Sequence, residues 1–113
     1  MVSTYVQAWH ERDEVTRRRL LEQTWATDGV YTDPDGTIEG RDALVEAIAD
    51  FHQNRPDVRI EVRGPVDGFG RHFRFVWATV DGGGEVLREG IDIGQLDEDG
   101  RITSIVGFFG IVP

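Results

Sequence analysis

The sequence contains no cysteine and no lysine, a single methionine and four prolines. Without cysteine there is no disulfide and no thiolate, either as nucleophile or as metal ligand; that suits a cytoplasmic protein. No apolar run approaches the ~20 residues needed to span a bilayer, so no membrane is expected. The N-terminus, Met-Val-Ser-Thr-Tyr, has neither the basic segment nor the apolar stretch of a secretory leader. Positive charge is also scarce. Twelve arginines carry all of it against 21 Asp and Glu, for a net charge of −9. A chain this acidic repels phosphate backbones, so nucleic acid is not an expected partner. The one basic cluster, Arg17-Arg18-Arg19, reads as an exposed helical face, with Glu14 and Glu22 four residues either side of Arg18.

Several catalytic and binding signatures are missing as well. No glycine cluster opens a helix, so no phosphate-cradling loop is indicated. No Ser or Thr lies in a nucleophile-elbow context. His10, His52 and His72 fit no zinc spacing. Asp33-x-Asp35-Gly36 and Asp97-x-Asp99-Gly100 lack the remaining ligands of calcium loops and read as turns. Neither a metal nor a cofactor is called for.

What is present is enough for one domain, residues 1–113, with one core. Helices are predicted from about Thr4 to Glu11, from Glu14 to Trp25 and from Arg41 to about Gln53. Thr4-x-x-Gln7 is a candidate capping box for the first. The third carries an apolar stripe of Ala43, Leu44, Ala47, Ile48 and Phe51. A short strand, Gly29 to Thr32, precedes that third helix. After Pro56 the period changes from 3.6 to 2. Strands follow at Val58–Val62, His72–Val80, Glu85–Leu96 and Arg101–Val112, separated by turns beginning at Asp67-Gly68, Asp81-Gly82 and Asp97 to Gly100.

The expected order is therefore α-α-β-α-β-β-β-β. This is an α+β fold with helices on one face of an antiparallel sheet. Gly90, Gly94, Gly107 and Gly110 inside the late strands permit sharp bending. A bent sheet wrapped round helices leaves a cavity in its concavity, a usual site for a small hydrophobic ligand. Trp9, Trp25, Tyr31, Phe51, His72, Phe75 and Trp77 are candidates to line it. The last strand is apolar on both faces: Ile105, Phe109 and Ile111 on one, Val106, Phe108 and Val112 on the other. Helices can cover only one face, so a homodimer packed through the sheet is expected.

The stretch Trp25 to Gly40 organises the candidate site. Pro34 pushes Asp33 out of the α region and holds it extended at a strand end. Val30, Tyr31 and Ile38 flank it, an apolar setting that favours a proton-accepting role for a carboxylate. The plain alternative is that Asp33-Pro-Asp-Gly36 is only a surface turn.

Three segments carry a resemblance: Trp-Ala-x-Asp-Gly-x-Tyr-x-Asp-Pro at 25–34, Glu-Gly-Arg-Asp at 39–42, and Gly-Ile-Asp at 90–92 leading to Leu-Asp-Glu-Asp-Gly-Arg-Ile at 96–102. Through them the whole chain resembles the nuclear-transport-factor-2-like superfamily, which includes ketosteroid isomerase and the SnoaL-like polyketide cyclases. The resemblance implies a cone-shaped half-barrel, with N-terminal helices packed in the concave face of a strongly bent antiparallel sheet. By comparison with ketosteroid isomerase it implies Asp33 as general base, and Asp92 and Tyr5 as donors to the developing oxyanion. An ungapped match puts Trp9 at the tyrosine's position, and an indole cannot replace a phenol as an acid. The implied activity is isomerase or cyclase chemistry without a cofactor. The same cavity would also serve a module that binds a hydrophobic ligand without transforming it, and the sheet face an assembly domain. Asp92 could instead cap a helix end or pair with Arg88 or Arg41.

Overall fold

The computed structural model describes residues 2–110. Helices α1 (Val2–His10) and α2 (Glu14–Thr24) form a hairpin and lead into strand β1 (Trp25–Asp33). Asp13 caps α2: its carboxylate accepts the Thr16 N–H at 3.0 Å and the Thr16 hydroxyl at 2.7 Å. The proposed capping box at Thr4 does not form, because α1 already runs from Val2 and Thr4 lies inside it. Arg17-Arg18-Arg19 is not the uniform exposed face expected. Arg17 is buried at 3% exposure, and Arg18 pairs with Asp42 on the third helix at 2.6 Å rather than with Glu14 or Glu22. The helix–helix contact outcompetes the local i,i+4 pairs.

A strand absent from the sequence reading, β2 (Gly36–Glu39), folds back antiparallel on β1, with Asp33 opposite Gly36. Its four residues, Gly-Thr-Ile-Glu, are too few to show an alternation. Helix α3 (Arg41–Asn54) follows, then β3 (Arg59–Phe69), β4 (His72–Val80), β5 (Val86–Leu96) and β6 (Ile102–Phe109). The sheet order is β2-β1-β6-β5-β4-β3. Every pairing is antiparallel except β1 with β6, which is parallel. Asp67-Gly68 does not begin a turn. Asp67 pairs with Arg74 inside the β3–β4 ladder, and the reversal comes at Gly70, in the left-handed region. A register shift between Arg63 and Asp67 extends β3 past the expected stop. Ile111 and Val112, expected in the last strand, lie outside the described residues.

The fold is thus the expected α+β cone with three helices against one open, bent sheet. Its core joins Tyr5 and Ala8 of α1, Leu21 of α2, and Leu44 and Ile48 of α3 to Trp25, Phe73, Phe75, Ile102 and Ile105 of the sheet. Alternation along β4, β5 and β6 turns Phe75 and Trp77, Gly90 and Asp92, and Gly107 and Phe109 toward the helices. It turns Ile93, Val106 and Phe108 outward. The inner glycines make room for rings. A methyl group on Gly94 would stand 2.2 Å from the Phe73 ring, and one on Gly90 2.3 Å from Trp77.

No helix among the described residues is long and apolar enough to cross a membrane.

Candidate functional site

Successive rows of inward-facing residues cross the sheet. In one row Phe75 (β4), Asp92 (β5) and Gly107 (β6) are direct neighbours. Asp33 stands beside Gly107, one step beyond the Thr32–Val106 pair of β1 and β6. Two acids from distant parts of the chain therefore face each other across a residue with no side chain. A methyl group on Gly107 would lie 2.8 Å from Asp92 Oδ1, 3.3 Å from the Tyr31 hydroxyl and 3.4 Å from Asp33 Cβ. The missing Cβ is the space around which the three groups gather.

Each acid is held differently. Asp33 Oδ1 accepts the Asp35 backbone N–H at 2.8 Å, in the turn that Pro34 and Gly36 make possible. This fixes Oδ1, and the Tyr31 hydroxyl stands close to the same carboxylate. Asp92 is buried, with 5% exposure, and its Oδ1 accepts the Trp77 indole N–H at 2.8 Å. It pairs with neither Arg88 nor Arg41. Arg41 donates instead to the Trp25 carbonyl, at 2.6 and 3.0 Å. Burial pushes the Asp92 carboxyl up to about 7; the Trp77 hydrogen bond draws it back, and the Asp33 charge adds to the rise. Burial likewise raises both tyrosines above the ordinary phenol range, with the Asp92 charge as the next cause for each. Both phenols are neutral hydrogen-bond donors at physiological pH.

These groups open on a cavity of about 420 Å³ lined by Tyr5, Trp9, Tyr31, Asp33, Phe51, Phe75, Trp77 and Asp92, among others. It brings together all three residues singled out for proton chemistry, and five of the seven expected to line a pocket. Trp25 and His72 are not among them. Trp25 is fully buried behind Tyr5, their rings stacked 5.5 Å apart, so it is core. His72 alternates with Phe73 and projects from the exposed face beside Phe69. Trp9 and Tyr5 both reach the cavity, so the two registers weighed for the first-helix position need not exclude each other. Trp9 packs edge-on against Phe51 at 5.6 Å and also against Tyr31.

Sequence reasoning missed Arg55, Arg88, Leu87, Thr79 and Phe109 as lining residues. Thr79 and Phe109 continue the alternations of Phe75-x-Trp77 and Gly107, so the period of two was a usable signal. It also missed the part of Tyr31, whose hydroxyl lies nearer the gap at Gly107 than its reading as a wall residue implied. Among the described residues no three His, Asp or Glu side chains are arranged to hold a metal ion.

Residues 2–105 match the SnoaL-like domain family. Among solved structures, a proposed isomerase of the SnoaL-like family from Agrobacterium tumefaciens strain C58 is 34% identical. The match covers 97% of this chain and 94% of that one, with a TM-score of 0.91. An NTF2-like protein of unknown function from Exiguobacterium sp. 255-15 is 19% identical over 98% of both chains, with a TM-score of 0.76. A proposed SnoaL-like polyketide cyclase from Jannaschia sp. CCS1 is 14% identical over 96% of this chain and 83% of that one, at 0.72. Comparison with curated protein sequences finds no match.

Proposed function

The chain belongs to the SnoaL-like domain family, and from that membership we propose that it is a cofactor-independent acid–base enzyme of isomerase or cyclase type, acting on a small hydrophobic carbonyl compound. The observation that carries this reading is the meeting of Asp33, Asp92 and Tyr31 around Gly107 at one cavity wall. Asp33 takes a proton from the carbon α to the carbonyl. The electron pair moves onto the carbonyl oxygen. Asp92, in its protonated form, and the neutral phenols of Tyr5 and Tyr31 stabilise that oxygen by hydrogen bonds aimed at the charge as it develops. Return of the proton from Asp33 to another carbon of the conjugated system completes an isomerisation, with no net change in atoms. The apolar walls from Trp9, Phe51, Phe75 and Trp77 exclude water and strengthen each of these interactions.

The pH dependence follows from Asp92. Its carboxyl is raised to about 7, so it is a donor below that pH and an anion above it. α-Proton exchange of a simple methyl ketone into heavy water, followed by proton NMR, should slow as pH rises through about 7. Asp92→Asn retains a neutral donor and an acceptor for Trp77, so it should lose that alkaline decline. A wild-type profile flat across this range would remove Asp92 from the chemistry. Because the folded state binds this proton more tightly than the unfolded chain, the contribution of Asp92 to stability falls as pH rises from the ordinary carboxylate range to about 7.

A homodimer through the outer sheet face belongs to the same proposal. Ile93 and Val106 are paired on adjacent strands, with Phe108 two residues further along β6, and they are 46%, 42% and 52% exposed. A contiguous apolar patch of this kind is costly to leave in water. Phe108→Glu should weaken self-association by about a hundredfold or more, since an unpaired carboxylate in an interface costs several kcal/mol. Sedimentation velocity reads this directly, and a wild-type protein that is monomeric at all concentrations would reject the interface.

A further inference from the structure

We infer that the ligand is an amphipathic acid: its carbonyl end lies at Asp33 and Asp92, and an anionic end is held by Arg88 and Arg55 at the cavity mouth. The inference rests on the proton-transfer reading for which end of the ligand lies deep.

Arg88 is inward-facing on β5, four residues along from Asp92, which puts its backbone ~13 Å from the carboxylate row by the rise of a strand. It belongs to the row Ile60–Thr79–Arg88 across β3, β4 and β5. Arg55, the residue that ends α3, also lines the cavity. The cavity lining carries two cations, Arg55 and Arg88, beside the three aspartates Asp33, Asp35 and Asp92.

Both guanidiniums are available. The Arg88 guanidinium rests 4.1 Å above the Phe109 ring, a contact that orients the cation without neutralising it. The acid nearest to it, Asp35, is 3.8 Å away, with side chains 50% and 78% exposed. A pair this long and this wet is worth little and yields readily to a ligand. Arg55 has no acidic partner among the described residues. Trp77 and Phe109, in the row between that of Arg88 and that of Asp92, suit the apolar middle of such a molecule.

The probes are 7-oxooctanoate, whose ketone and carboxylate are separated by five methylenes, and its uncharged methyl ester, each titrated calorimetrically at neutral pH. The acid should bind about tenfold or more tightly than the ester, the effect of a charge-assisted contact, and added salt should narrow the gap. The double variant Arg55→Gln/Arg88→Gln should abolish the preference. An ester that binds as well as the acid, or a preference that survives in the double variant, overturns the inference. The proton-transfer reading fails separately: exchange of the ester's α-protons that is absent from wild type sinks the chemistry, whatever the acid's preference.

Discussion

Asp33→Asn should lower α-proton exchange by about three orders of magnitude, the usual size of a positioned general base, and leave the fold intact. The second half of this expectation comes from the local geometry. Asp33 is only partly buried, and the hydrogen bond that holds the turn runs from the Asp35 N–H to its Oδ1. An asparagine carbonyl oxygen accepts that bond equally well, so the turn after β1 persists. What disappears is the oxygen that takes the proton. The unfolding midpoint should therefore move little while turnover collapses. Ligand affinity that is retained with no exchange in wild type or variant would point instead to a module that only binds. A variant as fast as wild type would remove Asp33 as the base.

Gly107→Ala should cost about a hundredfold in the same exchange rate, the scale expected when reacting groups are displaced by about 1 Å. No backbone strain is involved, because Gly107 is not in the left-handed region. The effect belongs entirely to the added methyl. At 2.8 Å from Asp92 Oδ1 it cannot be accommodated without moving that carboxylate, and Asp92 Oδ1 is the atom bonded to the Trp77 indole. The side chain must swing away from Trp77 or displace the Tyr31 hydroxyl. Overpacking of this sort costs about 1–3 kcal/mol of stability, so the assay belongs well below the variant's melting temperature, with near-ultraviolet circular dichroism to report on Trp77. Full activity in Gly107→Ala would mean that the two acids do not work as a unit.

Much of this fold was legible in the chain. The 3.6-residue stripe of α3, the period of two after Pro56, and the turns at Asp81-Gly82 and Asp97–Gly100 all record which face of each element meets water. That local fact fixes element type. The failures were equally local in origin. β2 is too short to carry a period. Asp67-Gly68 has the composition of a turn, but the β3–β4 ladder kept it in register. Arg17 looked like a solvated cation, and packing between helices buried it.

The candidate site divides along the same line. Pro34 and the alternation around Asp92 mark both acids as held at defined places on strands, and the family resemblance implies a role for each. Nothing in the order of residues says that Gly107 lies between them, that Trp77 caps Asp92, or that Tyr31 reaches the gap. Those relations depend on strand register, and in this fold register is set by pairing between segments far apart in sequence, including the single parallel contact of β1 with β6.

By itself the sequence determined the element types, the family, the surplus of negative charge and the presence of two structurally constrained acids, because each of these is written in neighbouring residues or in composition. Only the tertiary structure decided which aromatics wall the cavity and which are core, that Asp92 is buried without a counter-cation, and that two arginines stand at the mouth. Burial and proximity are properties of how distant segments pack, and no local pattern encodes them.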